Sequence, residues 1–143
     1  MKQSTRASYR ERLLRVIDHI HDHVQSGKDT TPAALDVNAL AEIAHMSPYH
    51  FHRIYREMMQ ETVNATIRRL RLQRSAIDLI RTDRSLSDIA KAVAYSGTDA
   101  FTRAFSKHFG VSPAEYRNTR KYDAGGDEPF IAMLPTHEKR YTR

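Results

Sequence analysis

Leu13, Val16, Ile17, Ile20 and Val24 recur at intervals of three and four, so the chain opens on the period of an α-helix with one apolar face. The pattern predicts a first helix over residues 8–25, with Gly27 just beyond it as a left-handed cap. After a polar loop at 28–34, Asp36 is placed as the N-cap of a short helix through Ala44. Ser47-Pro48 then sets a capping hydroxyl directly before a proline at the first helical position. The helix it opens turns Phe51, Ile54, Tyr55 and Met58 inward. Thr62 begins the longest helix, running to about Arg81, with Ile67, Leu70, Ile77 and Ile80 along one side and Arg68, Arg69, Arg71 and Arg74 over the remainder. Ser85 and Asp88 read as a capping box for another short helix. Phe101, Phe105 and Phe109 form an i, i+4, i+8 stripe, the mark of a buried face. Ser112-Pro113 repeats the cap-then-proline signal and opens a final helix through Arg117. The expected fold is all-α, with about seven helices.

Part of this pattern is written twice. Ala41 matches Ala90 at an offset of 49, while Phe51, Arg53, Tyr55 and Met59 match Phe101, Arg103, Phe105 and Phe109 at an offset of 50. The extra residue falls in the turn between two short helices, where an insertion costs little. Each copy reads as helix, tight turn, helix, with a basic outer face on the second helix. That is the layout of a helix-turn-helix, and its duplication implies two DNA-reading heads on one chain. The expected organisation is a tandem DNA-binding domain over 1–120, with unit one at 8–60, a connecting helix at 62–81 and unit two at 85–119. Adjacent glycines among acidic residues make 121–128 a linker. Residues 129–143 form a tail whose stretch at 129–135 reads as a strand with no partner in this sequence, either a frayed end or the opening of a further domain.

Charge narrows the partners. Lys and Arg number 23 against 17 Asp and Glu, and a surplus of +6 attracts polyanions. With no cysteine there is neither a disulfide framework nor a thiolate metal site, and a reducing cytoplasm is the expected location. No apolar run approaches the roughly 20 residues that span a bilayer, so no membrane partner is expected. His19 and His23 lie four apart on one helix, and His21, His50 and His52 add more, but no carboxylate or cysteine completes a ligand set. No metal site and no cofactor are expected. Nucleophile elbows and phosphate-binding glycine loops are missing, which leaves no catalytic residues and argues against an enzyme.

The outer faces of the second helices carry the candidate chemistry. In the first unit these are Tyr49, His50, His52, Arg53 and Arg56; in the second, Thr98, Asp99, Thr102, Arg103 and Lys107, with Ser106 beside them. A helix fits the major groove, where arginine can donate two hydrogen bonds to guanine. Arg53 and Arg103 occupy equivalent places and lead the candidates for base reading. Asp99 would be repelled by phosphate unless it accepts from cytosine, so it is expected to cap its helix instead. A connecting helix of about 20 residues is roughly 30 Å long, close to the 34–36 Å between successive major grooves on one face of DNA. The expectation is a monomer on an asymmetric double-stranded site. The alternative is a basic nucleoid or RNA-binding protein that ignores sequence.

These residues resemble the DNA-binding domain of the AraC/XylS transcription regulators, in particular the short MarA/Rob-like members. The resemblance covers about residues 9–117 and is carried by Ser47-Pro-Tyr-His-Phe-His-Arg53, Arg69-Leu-Arg-Leu72, Ile89-Ala90, Phe101-Thr-Arg-Ala-Phe105 and Phe109-Gly-Val-Ser-Pro-Ala-Glu-Tyr-Arg117. It implies a sequence-specific activator that reads adjacent grooves and contacts RNA polymerase. By position, the family's base-facing residues fall on Tyr49, His52, Arg53, Thr98, Asp99, Thr102 and Arg103. Gln60 stands where the family usually has glycine, Thr66 where it usually has an aromatic residue, and Ala94-Tyr95 where it usually has Gly-Phe. Related regulators continue after such a linker into a small-molecule-binding domain, to whose first strand Phe130-Ile-Ala-Met-Leu-Pro135 is similar. The tail is therefore expected to be either the opening of that domain or a remnant of it, with a small-molecule effector only in the first case.

Overall fold

A computed structural model describes residues 3–26 and 35–120. It holds seven helices among those residues: α1 (Gln3–Gln25), α2 (Val37–Ile43), α3 (Pro48–Met59), α4 (Val63–Arg81), α5 (Leu86–Ala92), α6 (Thr98–Phe109) and α7 (Pro113–Arg120). Gly27, the loop at 28–34, the linker at 121–128 and the strand expected at 129–135 lie outside the described residues. Helix α1 starts five residues before the expected Ser8, and α7 runs three residues past Arg117. Both extensions are polar, so the apolar period could not mark them. No helix among the described residues is long and apolar enough to cross a membrane.

Side-chain oxygens start most of the inner helices, because the first N–H groups of a helix lack partners within it. Asp36, Ser47, Thr62 and Ser85 each accept from the backbone N–H three residues on. Asp88 donates its N–H to Ser85 and adds a negative charge to the first turn of α5, so the capping contact is made by the serine. Helix α6 differs: its N-cap is Gly97, with no side-chain cap. Asp99 lies in the first turn beyond that glycine, so the expectation that it caps α6 is corrected: as the second residue of the helix it is past the cap position.

The core divides in two. Leu13, Val16, Ile20, Leu40, Phe51, Ile54, Tyr55, Val63 and Ile67 belong to one cluster, built by α1–α3 and the start of α4. Leu72, Ala76, Leu79, Ile89, Phe101, Phe105 and Tyr116 belong to the other, built by the rest of α4 with α5–α7. Helix α4 thus changes sides along its length. At about 100° per residue, Val63, Thr66 and Ile67 point roughly half a turn away from Leu72, Ser75, Ala76 and Leu79. The single apolar side expected for α4 is therefore replaced by two, and Leu70, Ile77 and Ile80 are only partly buried. Arg69, expected on the basic outer face, is 6% exposed and pairs with Glu61. In α3 the residue sunk in the core is Met59, with Met58 partly covered, because Met59 lies four residues past Tyr55 and eight past Phe51 on the buried face.

Helix α4 is tied to its neighbours along its second half. Arg74 donates from Nη1 to the Gln25 carbonyl at the end of α1 (2.7 Å), and its Nε faces Asp78 at 3.2 Å. Arg117 from α7 donates to the Leu79 and Thr82 carbonyls at 2.9 and 3.2 Å, satisfying groups that the end of α4 leaves open.

Candidate nucleic-acid interface

The two turns are built alike down to individual hydrogen bonds. In the first, His45 donates to the Glu42 carbonyl and Met46 to Ala41; in the second, Ala94 donates to Lys91 and Tyr95 to Ala90. This pair of bonds closes a helix through one left-handed residue, here His45 (φ 56°) and Ala94 (φ 66°). These pairs keep the offset of 49, whereas the N-caps Ser47 and Gly97 stand 50 apart. The inserted residue is therefore Ser96, between the closed turn and the next helix. Both recognition helices end alike too, in left-handed caps at Gln60 (φ 60°) and Gly110 (φ 81°).

Burial of one face of α3 presents the other. Phe51, Ile54 and Tyr55 are buried, which leaves Tyr49, His52, Arg53 and Arg56 exposed. Tyr49 is 80% exposed, an apolar ring standing in solvent. These four line one shallow depression of about 400 Å³ together with Glu57. His50 is set apart: it is half-buried, and its ring meets Tyr9 of α1 edge-on at 5.5 Å.

In α6 the buried Phe101 and Phe105 leave Asp99, Arg103 and Lys107 exposed, with Thr98, Thr102 and Ser106 half-exposed. Arg103 and Lys107 line a groove of about 660 Å³ against α4, whose floor includes Leu72, Ala100 and Ala104. Arg68 and His108 complete its wall. The His108 imidazole is held below its ordinary pKa, by burial first and by the Arg69 charge second. Burial likewise raises the Tyr95 hydroxyl in the second turn, opposed by Arg68 and Arg71.

Arg68 is the residue that sequence reasoning did not single out. It is exposed on α4 and lines both the α6 groove and a second one with Asp36, Asn64, Arg71 and Tyr95, between the start of α2 and the second turn. Its place among the arginines of α4 was visible, but its direction depends on where the helix changes sides. Among the described residues, no group of three or more His, Cys, Asp or Glu side chains is placed to hold a metal ion.

A family model for a helix-turn-helix domain matches residues 40–119, which takes in both turns and both recognition helices. The transcriptional regulator Rob of Salmonella typhimurium is 32% identical over 108 residues, covering 73% of this chain and 37% of Rob. The chain belongs to the AraC/XylS family. A transcriptional regulator of this type from Chromobacterium violaceum has the same fold, with a TM-score of 0.68 at 20% identity over 80% of this chain and 96% of that one. The DNA-binding domain of AdpA, solved in complex with a target DNA, matches with a TM-score of 0.64 at 21% identity, over 78% of this chain and 96% of the other. This chain is thus the MarA/Rob-like DNA-binding domain of the AraC/XylS family, and it spans little more than a third of Rob's length.

Proposed function

We propose that this chain is a sequence-specific, DNA-binding transcription activator that sets α3 and α6 into adjacent major grooves of one asymmetric site, as a monomer. The observation that carries the reading is the duplicated turn geometry on a shared α4, which gives Arg53 and Arg103 equivalent positions on two outer helix faces. At 19 residues, α4 is roughly 28 Å long, near the spacing of successive grooves. Tyr49, His52, Arg53 and Arg56 then form the first reading surface, with His50 steadying the helix start against Tyr9. Thr98, Asp99, Thr102, Arg103 and Lys107 form the second. Arg68, between them, is placed to meet phosphates of the backbone that crosses from one groove to the next. RNA polymerase is the protein partner in this reading, the cytoplasm its location, and no reaction is catalysed. Residues 121–128 serve as a linker in this reading, and a small-molecule effector enters only where the full-length protein carries a further domain beyond 129–143.

Selection of duplexes from a random library tests the proposal. Enrichment of a two-part, non-palindromic motif bound by one chain per duplex is the expected result. A featureless output, with affinity that depends on salt alone, would leave only a non-specific nucleoid or RNA-binding role.

A further inference from the structure

Behind the first recognition helix runs a buried chain of polar groups. Tyr55, fully buried on the inner face of α3, lies 2.6 Å from the Thr66 hydroxyl of α4. Thr66 donates its proton to Glu61 Oε2, and Arg69 donates to the same oxygen. A hydroxyl has one proton to give, so Tyr55 must be the donor to Thr66. The sequence of bonds therefore has a direction: phenol to hydroxyl to carboxylate, with the guanidinium closing it from the far side. Glu61 and Arg69 are 12% and 6% exposed, so this charge pair works with little water around it. Burial pushes the Tyr55 hydroxyl above its ordinary pKa, in keeping with a phenol that stays protonated and donating.

We propose that Glu61 is a positioning residue for DNA reading: its carboxylate, held by Arg69, fixes the roll of α3 about its own axis through Thr66 and Tyr55. Arg53 and Arg56 flank Tyr55 in sequence, so the angle at which they leave α3 follows the angle at which Tyr55 is held. At a radius of about 6 Å, a roll of about 20° moves such a side chain by about 2 Å. That is enough to break a hydrogen bond to a base edge. Phosphate contacts tolerate such a shift, since a flexible cation can follow a charge. The pair also reaches towards the second unit, because Arg69 is close enough to lower the His108 imidazole of α6.

Charge alone predicts the opposite outcome. Glu61 is an anion in a DNA-binding chain, so its removal should strengthen binding to every sequence. The inference rests on the sequence-specific reading proposed above, and the experiment separates the two. Wild-type protein first selects a duplex from a random library; Glu61→Gln is then titrated with that duplex and with a shuffled one of equal length. The expected result is a roughly tenfold drop in the ratio of the two affinities, from weaker binding to the selected duplex, with the shuffled one bound as well or better. Circular dichroism and thermal melting verify that the titrated protein is folded. An unchanged ratio overturns the inference, whether both affinities rise together (Glu61 acts only as a charge) or fall together (it is merely structural). Tyr55→Phe keeps the ion pair and the ring and removes only the first donor. It should lower the ratio about threefold, and if Glu61→Gln does not fold, an unmoved ratio in this variant overturns the inference. A wild-type chain that selects no motif defeats the regulator reading and this inference with it. A wild-type motif with an unmoved ratio defeats this inference alone.

Discussion

The two helix-turn-helix units share a backbone plan and a few matched core positions, and differ in most of the side chains packed around them. The first core is largely aliphatic, with Phe51 and Tyr55 as its rings and the Glu61–Arg69 pair at its edge. The second is aromatic: Phe101, Phe105, Phe109 and Tyr116 form a run of rings 4.5–5.7 Å apart. The first recognition helix starts on a serine cap, the second on a bare glycine. Outside, Tyr49 and Glu57 of α3 stand at the positions of Asp99 and Lys107 in α6, so each helix carries one acidic residue at opposite ends of its exposed face. The lesson is that the turn, closed by the same backbone bonds twice, is the invariant part. Beyond Ala41/Ala90, Phe51/Phe101 and Arg53/Arg103, the side chains behind it and in front of it diverge.

The largest effect should come from the equivalent core rings. Phe51→Ala and Phe101→Ala each remove a fully buried ring and should cost about 3–5 kcal/mol in chemical denaturation. Because α4 belongs to both cores, each should lower one shared transition; two separate transitions would break the picture of coupled units.

Next come the matched arginines. Arg53→Ala should cost roughly 1–3 kcal/mol on a selected duplex and relax one half-site, measured by fluorescence anisotropy on a panel of single-base variants. Arg103→Ala, beside Asp99 and the Arg68 groove, should relax the other half-site by less, about 1 kcal/mol on the same panel. Equal losses would make the two heads equal readers.

Smaller still is the relief of backbone strain. Ala94 holds a left-handed conformation, so Ala94→Gly should raise stability by about 0.5–1 kcal/mol in thermal melts, net of glycine's greater chain entropy. Gln60→Gly should act in the same direction at the end of α3. The least effect belongs to Gly97→Ser. A β-carbon there meets nothing within 4 Å, and a serine cap should add a few tenths of a kcal/mol, seen as a slightly higher melting temperature.

What the sequence reveals follows from where the information is local. Ser47-Pro48 and Ser112-Pro113 mark helix starts because cap and proline act on their own backbone, and the starts stand where those signals put them. The phenylalanine stripe is legible for the same reason, although Phe109 packs against Tyr116 and stays partly exposed. Helix α4 is not legible in this way, since two half-length stripes on opposite faces blur into no stripe at all. Arg69 reads as one more surface cation, because its partner Glu61 lies eight residues away across a helix start. Of the proposed reading surface, Tyr49, His52 and Arg53 could be named from the inward period of α3. Arg68 could not, as its neighbours come from α2 and from the second turn.

That α4 wears one core on each side limits how such heads can be exchanged between proteins. A crossover at either end of the helix would leave half of it facing a stranger: Leu72, Ala76 and Leu79 on one side of the cut, or Val63 and Ile67 on the other. A crossover near residues 70–72 would leave each half with its own companions. New pairs of reading heads should therefore be joined in mid-helix, inside α4 itself.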